Sequence, residues 1–372
     1  MPGPAANLSN CFGHRSAGFK SAIPILPLQQ TPRKVFVVKR TLLNLAVIVL
    51  AVCSSQVMAQ TRARNSAPAP AGLLASLPES DAVAQVKLRQ LLNDALPRIL
   101  AGNPAKLAEV NDGIESFKNR TGLDPRMFEQ IALGVRFTYP SEGITKAQTI
   151  ALANGDFSPA AMVAAGRVAS NGGYREEKYQ GNTIYIFKLN QKIRLLGMYD
   201  IRIDELAAAP HQTNVLALGD PAAVRATIDS GRSRKGANAE LIALANRDPN
   251  ALIGFGGNLS EKLIRNLDIG NAPIATDLSR LRQVYGSLDA TEKDLELFLA
   301  ARAVNAEAAR NLGDTLEGLK QFGALLVGRL SGARGVLAKS ALANLKIVTA
   351  ANELQIRTAV PQADVGPLMG GN

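Results

Sequence analysis

Cysteine and histidine are almost missing from this 372-residue chain: there are two of each, and both cysteines, Cys11 and Cys53, lie before Gln60. The body from Gln60 onward has no thiol and one histidine, His211. That leaves almost no room for thiol catalysis, a disulfide framework, a Cys/His zinc site or an iron–sulfur cluster. Acidic residues are missing from the segment before Gln60, which holds six bases: Arg15, Lys20, Arg33, Lys34, Lys39 and Arg40. Much of the net charge of +11 therefore sits at the N-terminus, and the body carries 36 bases against 31 acids, a net +5. So mild a surplus gives no ground for nucleic acid binding. A long apolar run is missing too. Leu42–Val52 spans about 11 residues and is broken only by Asn44, whereas a bilayer span needs roughly 20.

What is present begins with an address. Lys39-Arg40, the apolar run and Ser54-Ser55-Gln56-Val57-Met58-Ala59 follow the order of a signal peptide. Val57 at −3 and Ala59 at −1 place cleavage before Gln60. An uncleaved anchor is the bland alternative. A lipoprotein site at Cys53 is disfavoured by the β-branched Val52 before it. Residues 1–37 carry five prolines and no structural period, and a signal would begin naturally at Val38, which is expected to be a GTG start codon read as Met. The expected layout is a non-native extension at 1–37, a signal peptide at 38–59 and a Pro/Ala/Ser linker at 60–74, giving a periplasmic or secreted protein.

The chain is 47% apolar, as a folded globule requires. Alternation marks strands at 81–87, 131–139, 147–153, 199–203, 214–219, 251–255, 283–288 and 295–303, with hairpins around Gly181 and Asn352. Helical spacing marks Leu107/Val110/Ile114/Phe117 and Leu312/Leu316/Leu319/Leu326, whose stripes are expected to face sheets. Asp124-Pro125, Ser158-Pro159 and Asp220-Pro221 each pair a capping side chain with a proline at the first helical position. Pro97 is expected to bend or divide the helix that starts at Leu88. A first α+β unit at 75–235, a connector at 236–247 and a second unit at 248–372 have similar element orders. The expected fold is α+β: two topologically similar units, each an antiparallel sheet with helices packed on one face.

The stretches IALANGDFSPAAMVAA, YREEKYQGNTIYIFK and NVLALGDPAAVRATIDSG, with NAEAARNLGDTLEGLKQF and LANLKIVTAANELQIRTAVPQADVGPLM, carry a resemblance. They look like an uncharacterised family of secreted bacterial proteins, a domain of unknown function built from duplicated α+β units. The motifs are structural: a glycine before a helix cap, a hairpin glycine, a terminal hairpin. The resemblance implies a fold and brings no catalytic residue.

Candidate chemistry is sparse. Gly254-Phe255-Gly256-Gly257-Asn258 lies between a strand and a helix, where phosphate loops occur. However, Leu259 stands where a dinucleotide fingerprint needs its third glycine, and the Gly-Lys-Ser/Thr of a P-loop is missing. These glycines are expected to turn the chain out of the strand. His211 has no second imidazole or thiol with which to share a metal and is expected on an exposed loop. Asp200, Asp204 and Glu205, and separately Glu176 and Glu177, are clustered carboxylates of the kind that perform acid–base work when one is buried; a solvated strand edge is the bland reading. Ser260 with Lys262, and Ser340 with Lys339, lack the Ser-x-x-Lys spacing of a dyad. Arg232, Arg234 and Lys235, in the loop 231–236, form the densest basic cluster of the body and suit acidic head groups or a polyanion. Tyr174 and Tyr179 flank Arg175–Lys178, either as a platform or as sheet packing.

The expected function is a non-enzymatic extracytoplasmic binding or interaction protein. Its partner is an unknown acidic envelope component or protein, not nucleic acid. Arg232, Arg234 and Lys235 form the expected rim of a crevice between the units, with Tyr174 and Tyr179 beside it. No catalytic residue, metal or cofactor is assigned, and no membrane-spanning segment remains after processing. An envelope hydrolase using carboxylates or a serine, and a structural factor in envelope biogenesis, are the alternatives.

Overall fold

The computed structural model describes residues 72–121, 124–195, 199–233, 236–266 and 272–367. The extension at 1–37, the signal peptide with Ala59 and Gln60, Cys53, and the cations Arg234 and Lys235 lie outside these residues. Among the described residues, twelve strands build one antiparallel sheet. They are β1 (Ala82–Val86), β2 (Phe128–Ser141), β3 (Ile144–Gly155), β4 (Tyr174–Tyr179), β5 (Asn182–Leu195), β6 (Tyr199–Gln212), β7 (Val215–Gly219), β8 (Ile253–Asn258), β9 (Leu281–Ala290), β10 (Asp294–Ala303), β11 (Lys346–Ala350) and β12 (Glu353–Pro361). The main helices are α1 (Pro104–Thr121), α2 (Pro159–Ala169), α3 (Pro221–Ser233), α4 (Ala239–Ala245), α5 (Glu261–Asn266), α6 (Ala272–Ser279), α7 (Ala306–Val327) and α8 (Gly332–Ala343).

The strand order is β11-β12-β10-β9-β8-β1-β2-β3-β7-β6-β5-β4. The two sheets expected from sequence are therefore one sheet. Its seam is the antiparallel pairing of β1 with β8, from Ala82 opposite Gly257 to Val86 opposite Ile253. Because the seam is closed by backbone hydrogen bonds, the sheet has no crevice between its halves there.

Alternation along the strands feeds two cores on opposite faces. Ile184, Ile186, Ala207, Ala209, Val215 and Ala217 join Val224 and Ile228 of α3 and Leu241 of α4. Their neighbours Phe187, Ala208 and Leu216 join Met162 and Val163 of α2. Helices thus cover both faces, not the single face expected, because β5, β6 and β7 are apolar at odd and even positions alike. Over the second half, Leu312 of α7 packs with Ala301, Ala303 and Leu354.

Local chemistry sets the element ends as the sequence indicates. The Asp124 carboxylate accepts from the Arg126 amide at 2.9 Å, and Asn305 accepts from Ala308 at 2.8 Å. Gln180 and Gly181 both take positive φ, 52° and 76°, as a tight hairpin turn requires. The helix from Leu88 loosens into π geometry at Leu91–Ala95 just before Pro97, then resumes over Leu96–Ile99. Asp220 departs from the expected cap: its carboxylate takes the Thr149 amide at 2.6 Å and so ties α3 to β3.

Two expected stripes do not behave as read. No described side chain of α1 is buried, and Phe117 is 39% exposed. Leu107, Val110, Ile114 and Phe117 therefore form a half-wet stripe, and Phe117→Asp is expected to destabilise the fold only mildly. In α7 only the N-terminal half packs down: Leu312 is buried, whereas Leu319 and Leu326 are exposed.

The glycines of β8 belong to the sheet and not to a loop. A Cβ on Gly254 would lie 2.0 Å from the Ala245 carbonyl oxygen, and one on Gly256 would lie 3.0 Å from the Leu241 carbonyl oxygen. They let α4 lie directly on the seam. Gly254→Ala is expected to cost about 3 kcal/mol and to lower Tm by roughly 6 °C or more. Gly318→Ala, on α7 with nothing within 4 Å of its Cβ position, should be neutral or slightly stabilising. Thermal and urea unfolding of the two variants checks both.

Candidate functional site

The β4–β5 hairpin brings together three of the residues singled out from sequence, Glu177, Tyr179 and Arg232. Glu177 holds Arg225 through two 2.6 Å bonds, and the Tyr179 hydroxyl donates to Asp229 at 2.8 Å. Arg232 donates to the Gln180 side chain at 2.7 Å and to its backbone carbonyl. Arg225, Asp229 and Arg232 stand on successive turns of α3, so this is a ladder pinning hairpin to helix. Arg232 lies in the last turn of α3, not in an open loop, and its guanidinium is already engaged. Tyr174 is not its neighbour. Tyr174 and Tyr179 differ in strand parity, and Tyr174 packs on the opposite face with its ring 5.9 Å from Phe187 and its hydroxyl 2.9 Å from Arg167 Nε. The aromatic platform expected from sequence is therefore divided between the two faces.

The other reactive candidates have structural partners. Glu205 receives Arg175 at 2.5 Å and Glu176 faces Arg167 at 3.4 Å. Arginine neighbours hold the Glu177 and Glu205 carboxyls below their ordinary range. Asp204 has an interaction of its own, and the Asp200 side chain is outside the described residues. Ser260 caps α5 by accepting the Leu263 amide at 3.1 Å and meets the Tyr139 hydroxyl at 2.7 Å. His211 ends up on β6 beside Gly231, not on an exposed loop, and burial lowers its pKa.

Two groupings escaped the sequence. On one face of β9, β10 and β12, Arg247 lies 5.2 Å from the Tyr285 ring and 5.0 Å from Phe298, and Arg357 lies 4.5 Å from Phe298. Glu353 binds Arg302 at 3.3 Å, and the Tyr285 pKa is pushed up to about 12, chiefly by burial. This layered arrangement is internally paired and stabilises the open sheet face. Asp289 and Glu296 are cross-strand partners whose carboxyls are both raised, first by burial and then by neighbouring acids. Asp289 also accepts the Ala290 amide at 2.8 Å. A shallow cleft of about 250 Å³ lies at the end of the seam, lined by Gln85, Lys87, Gln130, Asn246 and Asp248 among others. Lys87 there donates to the Pro249 carbonyl at 2.5 Å.

The surface least accounted for by internal packing is the helical hairpin α7–α8. Leu319, Phe322, Leu325, Leu326, Leu330 and Val336 are all exposed, Phe322 by 60% and Leu325 by 75%. They supply six of the twelve large apolar side chains exposed among the described residues. The concentration of half of them between Leu319 and Val336 marks a patch, not the scatter of an ordinary surface. Residues 318–352 contain Lys320, Arg329, Arg334, Lys339 and Lys346 and no acid. Lys320 is held by Glu317 at 3.0 Å. Arg329, Arg334 and Lys339 are exposed and make no ion pair among the described residues. None of the described helices is long and apolar enough to cross a membrane.

No protein-family model matches the chain, and no curated protein matches it in sequence. Among solved structures it is similar to crystal forms I, III and IV of TP0453. The identities are 10%, 10% and 9% and the TM-scores 0.39, 0.38 and 0.39, over 80% of this chain and 96–97% of the other.

The Glu177–Arg225 pair gives a pH-dependent expectation. Its carboxyl pKa is depressed on folding, so its stabilisation is present above the ordinary value of 4.5 and is lost as pH falls through the folded value. Glu177→Gln should lower Tm by about 2 °C at pH 7. The gap to the parent should close on acidification below 4.5, as followed by calorimetry across pH.

Proposed function

We propose that this chain is a non-enzymatic, extracytoplasmic interaction protein that engages an acidic envelope component through the α7–α8 surface. The observation that supports this reading is the conjunction of an exposed apolar patch with three unpaired cations and no acid between residues 318 and 352. It moves the binding surface from the rim at Arg232, whose guanidinium is engaged by Gln180, to the second half of the chain. The location follows from the signal-like order of residues 38–59, with cleavage between Ala59 and Gln60; the linker expected at 60–74 ends sooner than read, since Leu73 and Leu74 are buried in the main core.

The layout of 75–235, 236–247 and 248–372 as two related units and a connector belongs to the same proposal. Outward from the seam, the strands run β1-β2-β3-β7-β6 on one side and β8-β9-β10-β12-β11 on the other. In each series the first strand leads through helices to the next, the third is followed by a helix, and the last two strands join in reversed order. The β4–β5 hairpin is an addition to the first unit. A duplicated scaffold leaves one copy free to acquire a surface that the other lacks.

Fractionation of expressing cells tests the function. The protein is expected to be recovered with envelopes, and the double substitution Phe322→Asp/Leu325→Asp is expected to release it to the soluble extracytoplasmic fraction. Alanine at Asp289 and Ser260 should leave the distribution unchanged. If the aspartate pair has no effect while the alanine pair abolishes a cellular phenotype of deleting the gene, the interaction reading is wrong.

A further inference from the structure

We infer that the partner of the α7–α8 surface is an anionic lipid bilayer, on which the hairpin lies without crossing. This names the partner class for the interaction reading and rests on it. Leu319, Phe322 and Leu326 fall at i, i+3 and i+7, and Leu325 extends the same side, so one stripe of α7 is apolar. Leu330 continues it into the turn after the helix. The base of the hairpin is already committed. Leu312 is buried, a Cβ on Gly313 would meet the Thr349 hydroxyl at 2.6 Å, and a Cβ on Gly323 would lie 3.6 Å from Leu342. The Thr358 hydroxyl donates to the Ala341 carbonyl of α8 at 3.3 Å. The hairpin is thus fixed to the sheet at its base, and the stripe that begins at buried Leu312 runs on past the sheet as the exposed Leu319, Phe322 and Leu326.

Charge selects the occupant. Arg329 lies in the turn beside Leu330, and Lys339 lies one turn from Val336 on α8. Long cationic side chains bordering leucine and phenylalanine can hold head groups while the apolar groups enter the acyl boundary. Over residues 318–352 no carboxylate opposes an anionic surface, and Arg329, Arg334 and Lys339 are not neutralised by one elsewhere among the described residues. An apolar stripe along a helix and its turn suits a fluid interface that conforms to it, and each nearby cation strengthens attraction to anionic lipid.

The chain has no tryptophan, so Leu325→Trp introduces a single reporter. Purified protein is mixed with phosphatidylglycerol/phosphatidylethanolamine vesicles and, separately, with phosphatidylcholine vesicles. Binding is expected to the first only and to weaken as salt rises. The emission of the introduced tryptophan should shift to the blue and be quenched by brominated acyl chains. Phe322→Asp/Leu325→Asp and, independently, Arg329→Glu/Lys339→Glu should each weaken binding about tenfold or more. All these positions are exposed, and circular dichroism and Tm verify that each variant keeps the fold. Equal binding by every variant, equal binding to phosphatidylcholine, or an unshifted reporter on bound protein overturns the inference. Envelope retention that depends on Phe322 and Leu325 without any vesicle binding also overturns it, in favour of a protein partner, and leaves the interaction reading standing. Envelope retention unaffected by the aspartate pair overturns both.

Discussion

Contact between α4 and the β1–β8 seam is the constraint on which both halves of the molecule depend. Five residue pairs join the strands, and the helix lies close enough that a methyl group on Gly254 would penetrate the Ala245 carbonyl. Leu241, Leu244 and Ala245 then enter a core shared by Val83 and Ile184 of the first half and Tyr285 and Ala300 of the second. A core that spans the seam makes the halves energetically interdependent, whatever their ancestry. Burial of this apolar surface is non-directional, but the glycines decide where it can occur.

The same geometry distributes polar work. With α3 and α4 on one face of the sheet and α2 on the other, charged side chains at the β4 end serve as ties between layers. Glu177, Tyr179 and Gln180 bind α3, while Tyr174 and Glu176 bind Arg167 of α2. One short strand clamps helices on both faces because its side chains alternate. Such ties are partly exposed and individually modest, so their main contribution is registration of the layers.

Sequence periodicity carried the element types well and their partners poorly. The caps at Asp124 and Ser158 and the turn at Gln180-Gly181 were legible because each is a local arrangement of a few residues. The union of two sheets into one was not, since β1 and β8 are separated by the whole first unit and nothing in AVAQV or IGFGGN encodes the partner. The glycines of β8 read as a loop because their reason, α4, lies outside the motif. Arg232 read as a free cation because Gln180 approaches it from a hairpin 52 positions away. The stripe Leu312, Leu319, Leu326 has the spacing of a core, and spacing alone cannot tell how far along the helix the sheet reaches to cover it. Helix α8, with little amphipathic pattern, was missed, although the run of cations without acids over 318–352 was there to be read.

The sheet ends in two unequal ways. At one margin β4 pairs only with β5, and its sequence YREEKY presents Arg175, Glu176 and Glu177, each already tied to a charge of opposite sign. At the other margin β11 pairs only with β12, has five residues, and exposes Val348 by 54%. A foreign extended segment approaching β4 must break or accommodate ion pairs, whereas at β11 it meets chiefly small and apolar side chains, with Lys346 as the one charge on the strand. Resistance to unwanted strand addition is therefore built from electrostatics at one margin and from brevity at the other. Lengthening β11, or removing its lysine, would make the chain more prone to aggregate through that margin without altering any buried contact.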